Sequence, residues 1–124
     1  QYLTFCTFNA AQWALADILE QAPEHWQQLP AFYQAKRDYF RAALQHSRFE
    51  LLPVQGAYFQ LVDYSAISTL DDVEFCRWLT REVGVAAIPV SAFYESPPAQ
   101  KLARFCFAKR EATLDAAAER LCKI

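Results

Sequence analysis

Four segments of the chain place apolar side chains at helical spacing. Asn9 precedes the first segment as a candidate N-cap, and Gly84 ends the third. Pro30 lies inside the second, where it either kinks the helix or begins its main part at the first turn. The pattern predicts helices over residues 10–21, 24–46, 68–83 and 111–122.

Four other segments are short, apolar and rich in β-formers. They predict strands over residues 49–52, 57–63, 85–90 and 103–109. The first two are separated only by residues 53–56 and read as neighbours in one sheet. The order α-α-β-β-α-β-β-α therefore predicts one α/β domain of the α+β-like kind, in which helices cover at least one face of a small sheet.

Composition and charge exclude several classes of protein. The 124 residues are 54% hydrophobic and 15% aromatic, too apolar for a disordered chain. A net charge of −2 gives no basic face for nucleic acid or a membrane surface. The apolar runs are far shorter than the roughly 20 residues that span a bilayer. We therefore expect neither nucleic acid nor a membrane as a partner.

The cysteines indicate the redox compartment of the protein, and the first residue indicates whether the chain is part of a longer one. Cysteines 6, 76, 106 and 122 lie far apart, without a Cys-x-x-Cys pair or a nearby histidine to complete a zinc site. They predict free thiols in a reducing cytoplasm. The chain begins with Gln1 and contains no methionine, which suggests a piece of a longer protein or a processed product.

Most residue types that carry chemistry have an ordinary interpretation here. With only two glycines, the chain has no phosphate-binding loop or dinucleotide fingerprint. His25 and His46 fall on or at the end of a predicted helix, where solvated side chains are expected rather than members of a catalytic triad. Asp71 and Asp72 are interpreted as acids at a helix start, not as metal ligands.

Arg104 is the exception. It begins the run Arg-Phe-Cys-Phe-Ala, whose alternation sends Phe105 and Phe107 to one face and Arg104 with Cys106 to the other. An arginine there is either an exposed strand end or a rigidly held guanidinium for bidentate recognition of a carboxylate. The pattern leaves both interpretations open.

Several segments in the same order and spacing resemble the class I pyridoxal-phosphate aminotransferases. The resemblance covers essentially the whole chain and is especially close to the bacterial methionine aminotransferases, themselves similar to kynurenine and glutamine aminotransferases. Its segments are residues 104–109 (RFCFAK), 111–114 (EATL), 56–59 (GAYF) with Asp63, 85–94 (VAAIPVSAFY), 1–5 (QYLTF) and 71–76 (DDVEFC). One departure is Ala10, where the family usually has proline.

The resemblance implies roles for three residues. The arginine that corresponds to Arg104 grips the α-carboxylate of the amino-acid or 2-oxo-acid substrate. Phe59 resembles an aromatic residue that lines the substrate pocket, although core packing is as good an explanation. Phe5 resembles a residue that reaches across the interface of a homodimer towards the partner's active site.

The resemblance also implies what this chain lacks. The family's catalytic lysine, which carries pyridoxal 5′-phosphate, lies in a Ser-x-x-Lys segment followed by Gly-x-Arg, and none of the four lysines here has that setting. The cofactor's other contacts belong to the large domain. Residues 1–124 therefore resemble the small C-terminal domain of a fold type I enzyme together with its lead-in helices. The large domain is not part of the chain, so we expect the chain alone to be inactive.

The predicted parent enzyme transfers an amino group from an amino acid, methionine or an aromatic one, to a 2-oxo acid. Two alternatives belong to other classes. The chain could be a stand-alone amino-acid-binding regulatory module that uses the same arginine without a cofactor. It could also be a structural dimerisation piece.

Overall fold

The computed structural model describes residues 7–124, and contacts divide the chain into two compact units between Phe32 and Tyr33. The α-helices are α1 (Asn9–Gln21), α2 (Glu24–Gln27), α3 (Leu29–Ala43), α4 (Asp72–Trp78) and α5 (Glu111–Leu121). The strands are β1 (Glu50–Leu51), β2 (Phe59–Asp63), β3 (Ile88–Pro89) and β4 (Leu102–Cys106). This mixture of helices and one small sheet confirms the predicted fold class.

The first unit contains α1, α2 and the start of α3. Phe8 occupies the N-cap position of α1, so the prediction that Asn9 caps this helix is wrong: Asn9 is its first helical residue. The predicted helix over 24–46 is two helices, and Pro30 lies in the first turn of the longer one, where its missing N–H costs nothing. None of residues 7–32 is buried.

The second unit is built on a sheet in the order β1-β2-β4-β3. Every neighbouring pair is antiparallel, and the register places Arg104 of β4 between Leu61 of β2 and Ile88 of β3. The predicted neighbours β1 and β2 are confirmed. The outer strands are each 2 residues long, shorter than predicted: a loop follows β1, whereas irregular residues 85–87 precede β3 and a 3₁₀ turn follows it.

One face of the sheet forms the core. Alternate side chains on β2 and β4 are buried, including Val62 and Phe105, and the rest of the cluster comes from α3, α4 and α5 and from the turns and loops between the elements. The ring of Phe105 meets that of Phe49 edge-on, with 5.7 Å between the ring centroids, and the ring of Tyr64 stacks on that of Phe75 with 3.8 Å between the centroids. Each fully buried large apolar side chain contributes about 1.5–3 kcal/mol.

The helix predicted over residues 68–83 begins later than predicted, at Asp72, and ends at Gly84 as expected. Asp71 caps α4, and its carboxylate accepts a hydrogen bond from the Glu74 amide at 2.9 Å. A π-helical turn over Leu79–Val83 continues it to Gly84, whose φ of 74° is left-handed. None of the helices in residues 7–124 is long and apolar enough to cross a membrane.

Gly84→Ala should destabilise the second unit. A side chain at this left-handed φ costs about 1–2 kcal/mol, and its Cβ would lie 2.5 Å from Nη1 of Arg120, which donates to the Gly84 carbonyl at 3.0 Å. Gly56→Ala is the matched control, since nothing lies within 4 Å of its added Cβ. Urea unfolding should show a lower free energy of unfolding for Gly84→Ala, and a free energy of unfolding changed by no more than about 0.5 kcal/mol for the control. Equal effects would contradict the assigned backbone conformation.

Cys76 should resist thiol reagents while the protein is folded. Burial, assisted by the Asp72 carboxylate, raises the pKa of the Cys76 thiol to about 12, and the thiolate is the reactive form. Maleimide at pH 8 should therefore modify the exposed Cys106 and Cys122 but leave Cys76 unmodified until urea is added. Peptide mapping distinguishes the sites, and rapid labelling of Cys76 in the native state would refute its burial.

The same thiol should make stability depend on pH. Because its pKa is raised from 9.0 in the unfolded chain to about 12, the folded state retains a proton that the unfolded state loses. Its contribution is complete below pH 9 and declines as the pH rises towards 12. Cys76→Ala should lose less stability over that interval than the parent chain.

Candidate carboxylate-binding site

Arg104 lies in the middle of β4, on the sheet face opposite the core. Its chain neighbours Ala103 and Phe105 are buried on the core face, so the alternation of the strand directs Arg104 away from it. Hydrogen-bonded strands flank it on both sides. The interpretation of Arg104 as an exposed strand end is therefore wrong.

Two phenylalanine rings hold the Arg104 side chain. Its Cζ lies over the ring of Phe59 at 4.5 Å from the centroid and over the ring of Phe93 at 4.7 Å. Both contacts are in the range of favourable cation–π interactions. Phe59 lies on β2 and is half-buried on the same face, outside the core cluster, so its contact with Arg104 replaces the core-packing interpretation.

The guanidinium of Arg104 has no hydrogen-bond or ion-pair partner within residues 7–124. Asp63, on the same face of the sheet, accepts a hydrogen bond from the Ser65 amide at 2.7 Å instead. The other half-buried arginines are engaged: Arg37 with Asp38, and Arg41 with Gln60. A half-buried guanidinium with its N–H groups unused is able to bind an incoming carboxylate in a bidentate manner.

The predicted site residues divide into two groups, and the structure adds one further residue. Arg104 and Phe59 are brought together as described, whereas Phe5 lies outside the described residues. Phe93 belongs to the site although sequence reasoning gave it no role. It was quoted within the resembling segment 85–94, but it follows a predicted strand and no periodicity signals its position.

The lysines of the chain do not fit attachment of the cofactor. Nζ of Lys36 donates to the Lys109 carbonyl at 2.8 Å, and Nζ of Lys101 donates to the Leu70 carbonyl at 2.6 Å. Nζ of Lys123 pairs with the Glu119 carboxylate at 2.8 Å, which lowers the pKa of that carboxyl. Lys109 is exposed and lies at a bend of the chain. The side chains here therefore fit a carboxylate ligand rather than the attachment of pyridoxal phosphate.

Known proteins are similar to this chain in both sequence and fold. It is 63% identical over 98% of its length to methionine aminotransferase of Escherichia coli, of which it covers 31%. It is also 36% identical over 86% of its length to human kynurenine–oxoglutarate transaminase 1, covering 28% of that protein. The chain thus spans under a third of the length of these curated relatives.

Solved structures agree along the whole chain. An Escherichia coli protein with an identified methionine aminotransferase function superposes with a TM-score of 0.91 at 61% identity, over 100% of this chain and 32% of its own. N-succinyldiaminopimelate aminotransferase of Mycobacterium tuberculosis gives 0.84 at 38% identity, over 99% of this chain and 32% of its own. The family model for aminotransferase class I and II matches residues 3–121. The chain therefore belongs to the class I and II aminotransferase family.

Proposed function

We propose that residues 1–124 are the small C-terminal domain and lead-in helices of a longer pyridoxal-phosphate-dependent aminotransferase. In this enzyme Arg104 binds the α-carboxylate of the amino-acid and 2-oxo-acid substrates. The observation that carries the proposal is the half-buried guanidinium of Arg104, clamped between two rings and without a partner in residues 7–124. The large domain, which is not in this chain, would attach the cofactor.

The cofactor and the residues of this chain would have different roles in the reaction. The bound cofactor supplies an electron sink, which no side chain of this chain provides. Arg104 supplies two parallel N–H···O bonds, which fix the substrate's carboxylate and so orient the rest of the molecule. Phe59 lines the same pocket and holds the guanidinium from one side. The fixed geometry favours reaction by reducing the entropy that the substrate must lose.

Methionine or an aromatic amino acid is the proposed amino donor. Support comes from the 63% identity to the Escherichia coli methionine aminotransferase and from the kynurenine transaminases among the relatives. The aromatic lining beside Arg104 is compatible with either kind of apolar side chain. Pocket walls outside residues 1–124 would also contribute to the choice.

A homodimeric parent in the cytoplasm completes the proposal. The first unit exposes many large apolar side chains, a surface that water disfavours and that further protein would cover. They are Phe8 (77% exposed), Trp13, Leu15, Ile18, Leu19, Trp26, Leu29 and Phe32. Phe5 is proposed to reach towards the partner's active site. The free cysteines at 76, 106 and 122 are compatible with a reducing compartment.

Arg104→Ala in the longer enzyme should lower kcat/KM at least about 100-fold. Two charge-assisted bonds of about 1.5–3 kcal/mol each are lost, and about 1.4 kcal/mol corresponds to a factor of ten. Arg104→Lys should recover only part, because an ammonium lacks the planar fork. Steady-state kinetics with methionine measure both. Arg81→Ala, at an exposed arginine, is the control and should leave kcat/KM unchanged.

Two results would contradict this role. If Arg104→Ala left kcat/KM within a few-fold of the parent, Arg104 would not bind substrate. If it abolished folding, as judged by thermal unfolding, Arg104 would be a structural residue.

Pyridoxal phosphate followed by borohydride should not label any single lysine of the isolated chain stoichiometrically. In the longer enzyme, one lysine in a Ser-x-x-Lys segment before Gln1 should be labelled, and mass spectrometry locates it. Specific labelling at Lys36, Lys101, Lys109 or Lys123 would refute the division between the domains.

Experiments on the isolated chain also distinguish the two alternative functions, a regulatory module and a dimerisation piece. Saturable binding of methionine by the isolated chain without cofactor would favour the regulatory module. A stable dimer of the isolated chain without such binding would favour the dimerisation piece.

A further inference from the structure

Phe93 is largely exposed, yet it has a defined place in the structure. Its side chain is 61% exposed, and its ring lies against the Arg104 guanidinium, with Cζ 4.7 Å from the ring centroid. Phe93 ends a 3₁₀ turn over Val90–Phe93 that directly follows β3. Since β3 pairs with β4 through only Ile88 and Pro89, strand pairing alone gives this turn little support.

A second contact fixes the turn from the other side. The Asp72 carboxylate accepts two hydrogen bonds from Ser91: one from its backbone N–H at 2.6 Å and one from its hydroxyl at 2.7 Å. Ser91 is the second residue of the turn, and its own carbonyl accepts a hydrogen bond from the Tyr94 amide at 3.0 Å. Both oxygens of one carboxylate therefore hold the segment that presents Phe93.

The burial of Asp72 is costly without such partners. It is 6% exposed and is the only charged side chain buried in residues 7–124. A buried carboxylate is tolerated when hydrogen bonds replace its water and a helix N-terminus lies nearby, and Asp72 has both as the first residue of α4. A first-turn acid needs no burial to favour a helix. Its burial is explained by the contact with Ser91.

We propose that Asp72 and Ser91 form a latch that holds Phe93 against Arg104, which makes Phe93 a positioning residue for the carboxylate-binding guanidinium. This inference rests on the proposed function of Arg104. Phe59 covers the guanidinium from β2, and Phe93 covers it from the latched turn. With two rings against it, the long side chain keeps few rotamers before substrate arrives. Less conformational entropy is then lost on binding.

The latch should affect substrate binding more than the chemical step. Positioning of Arg104 helps the bound substrate and the transition state alike, which is the condition for a change in KM at constant kcat. In the longer enzyme, Phe93→Leu should raise KM for methionine and for the 2-oxo acid by about 3-fold to 30-fold, the range a cation–π contact supports. The value of kcat should stay within about twofold.

Three further variants make the test specific. Phe93→Tyr keeps the ring and should restore KM to near the parent value. Ser91→Ala removes one of the two latch bonds and should raise KM less than Phe93→Leu does. Tyr94→Leu is the matched control, because Tyr94 is the adjacent exposed aromatic and no ring contact to Arg104 involves it within the described part of the chain.

A double-mutant cycle with Arg104→Lys separates positioning from a general structural role. If Phe93 acts through Arg104, Phe93→Leu should raise KM clearly less in the Arg104→Lys background than in the parent. The same KM increase in both backgrounds would overturn the inference, as would a KM unchanged by Phe93→Leu in an enzyme that depends on Arg104. Failure of the proposed function is a different result: Arg104→Ala would then leave kcat/KM near the parent value.

Discussion

The placement of β4 between β2 and β3 is the constraint on which the second unit depends. Hydrogen bonds from two neighbours fix its backbone, so the alternation of its side chains becomes a strict division between two faces. Phe105 is thereby committed to the core, where it meets Phe40 and Phe49 edge-on. Arg104 is committed to the other face. A shift of one residue in the register would exchange them and lose both the core and the site.

Buried polar groups connect this sheet to the segments around it. Gln60 lies on the core face with no exposed surface, and its amide donates to the Leu52 and Leu61 carbonyls while Arg41 donates to its oxygen at 2.7 Å. The buried Asp72 carboxylate likewise connects α4 to the turn after β3, by accepting a hydrogen bond from the Ser91 amide. No buried side-chain nitrogen or oxygen within residues 7–124 lacks a partner. These contacts fix loops that hydrophobic packing alone would leave variable.

The residues that stabilise the fold and those that form the site are largely separate. The core consists of apolar side chains from one sheet face, from three helices and from the loops that adjoin them, whereas the Arg104 side chain makes no hydrogen bond within the described part of the chain. Two phenylalanine rings lie against its guanidinium, and its N–H groups have no hydrogen-bond partner within residues 7–124. This separation leaves a charged, half-buried group on the open face of the sheet, as the proposed binding of a carboxylate requires.

Local patterns in the sequence determined the elements of the fold and the face on which Arg104 lies. Helical spacing located α4 and α5, Gly84 marked the end of the π-helical continuation of α4, and alternation separated Phe105 from Arg104. The resemblance to class I aminotransferases identified the family and singled out Phe59. Tertiary structure alone decided whether Pro30 kinks or begins a helix, and it placed Phe93 over Arg104. The Asp72–Ser91 contact joins residues 19 positions apart, and such contacts depend on how distant loops meet, which local periodicity does not encode.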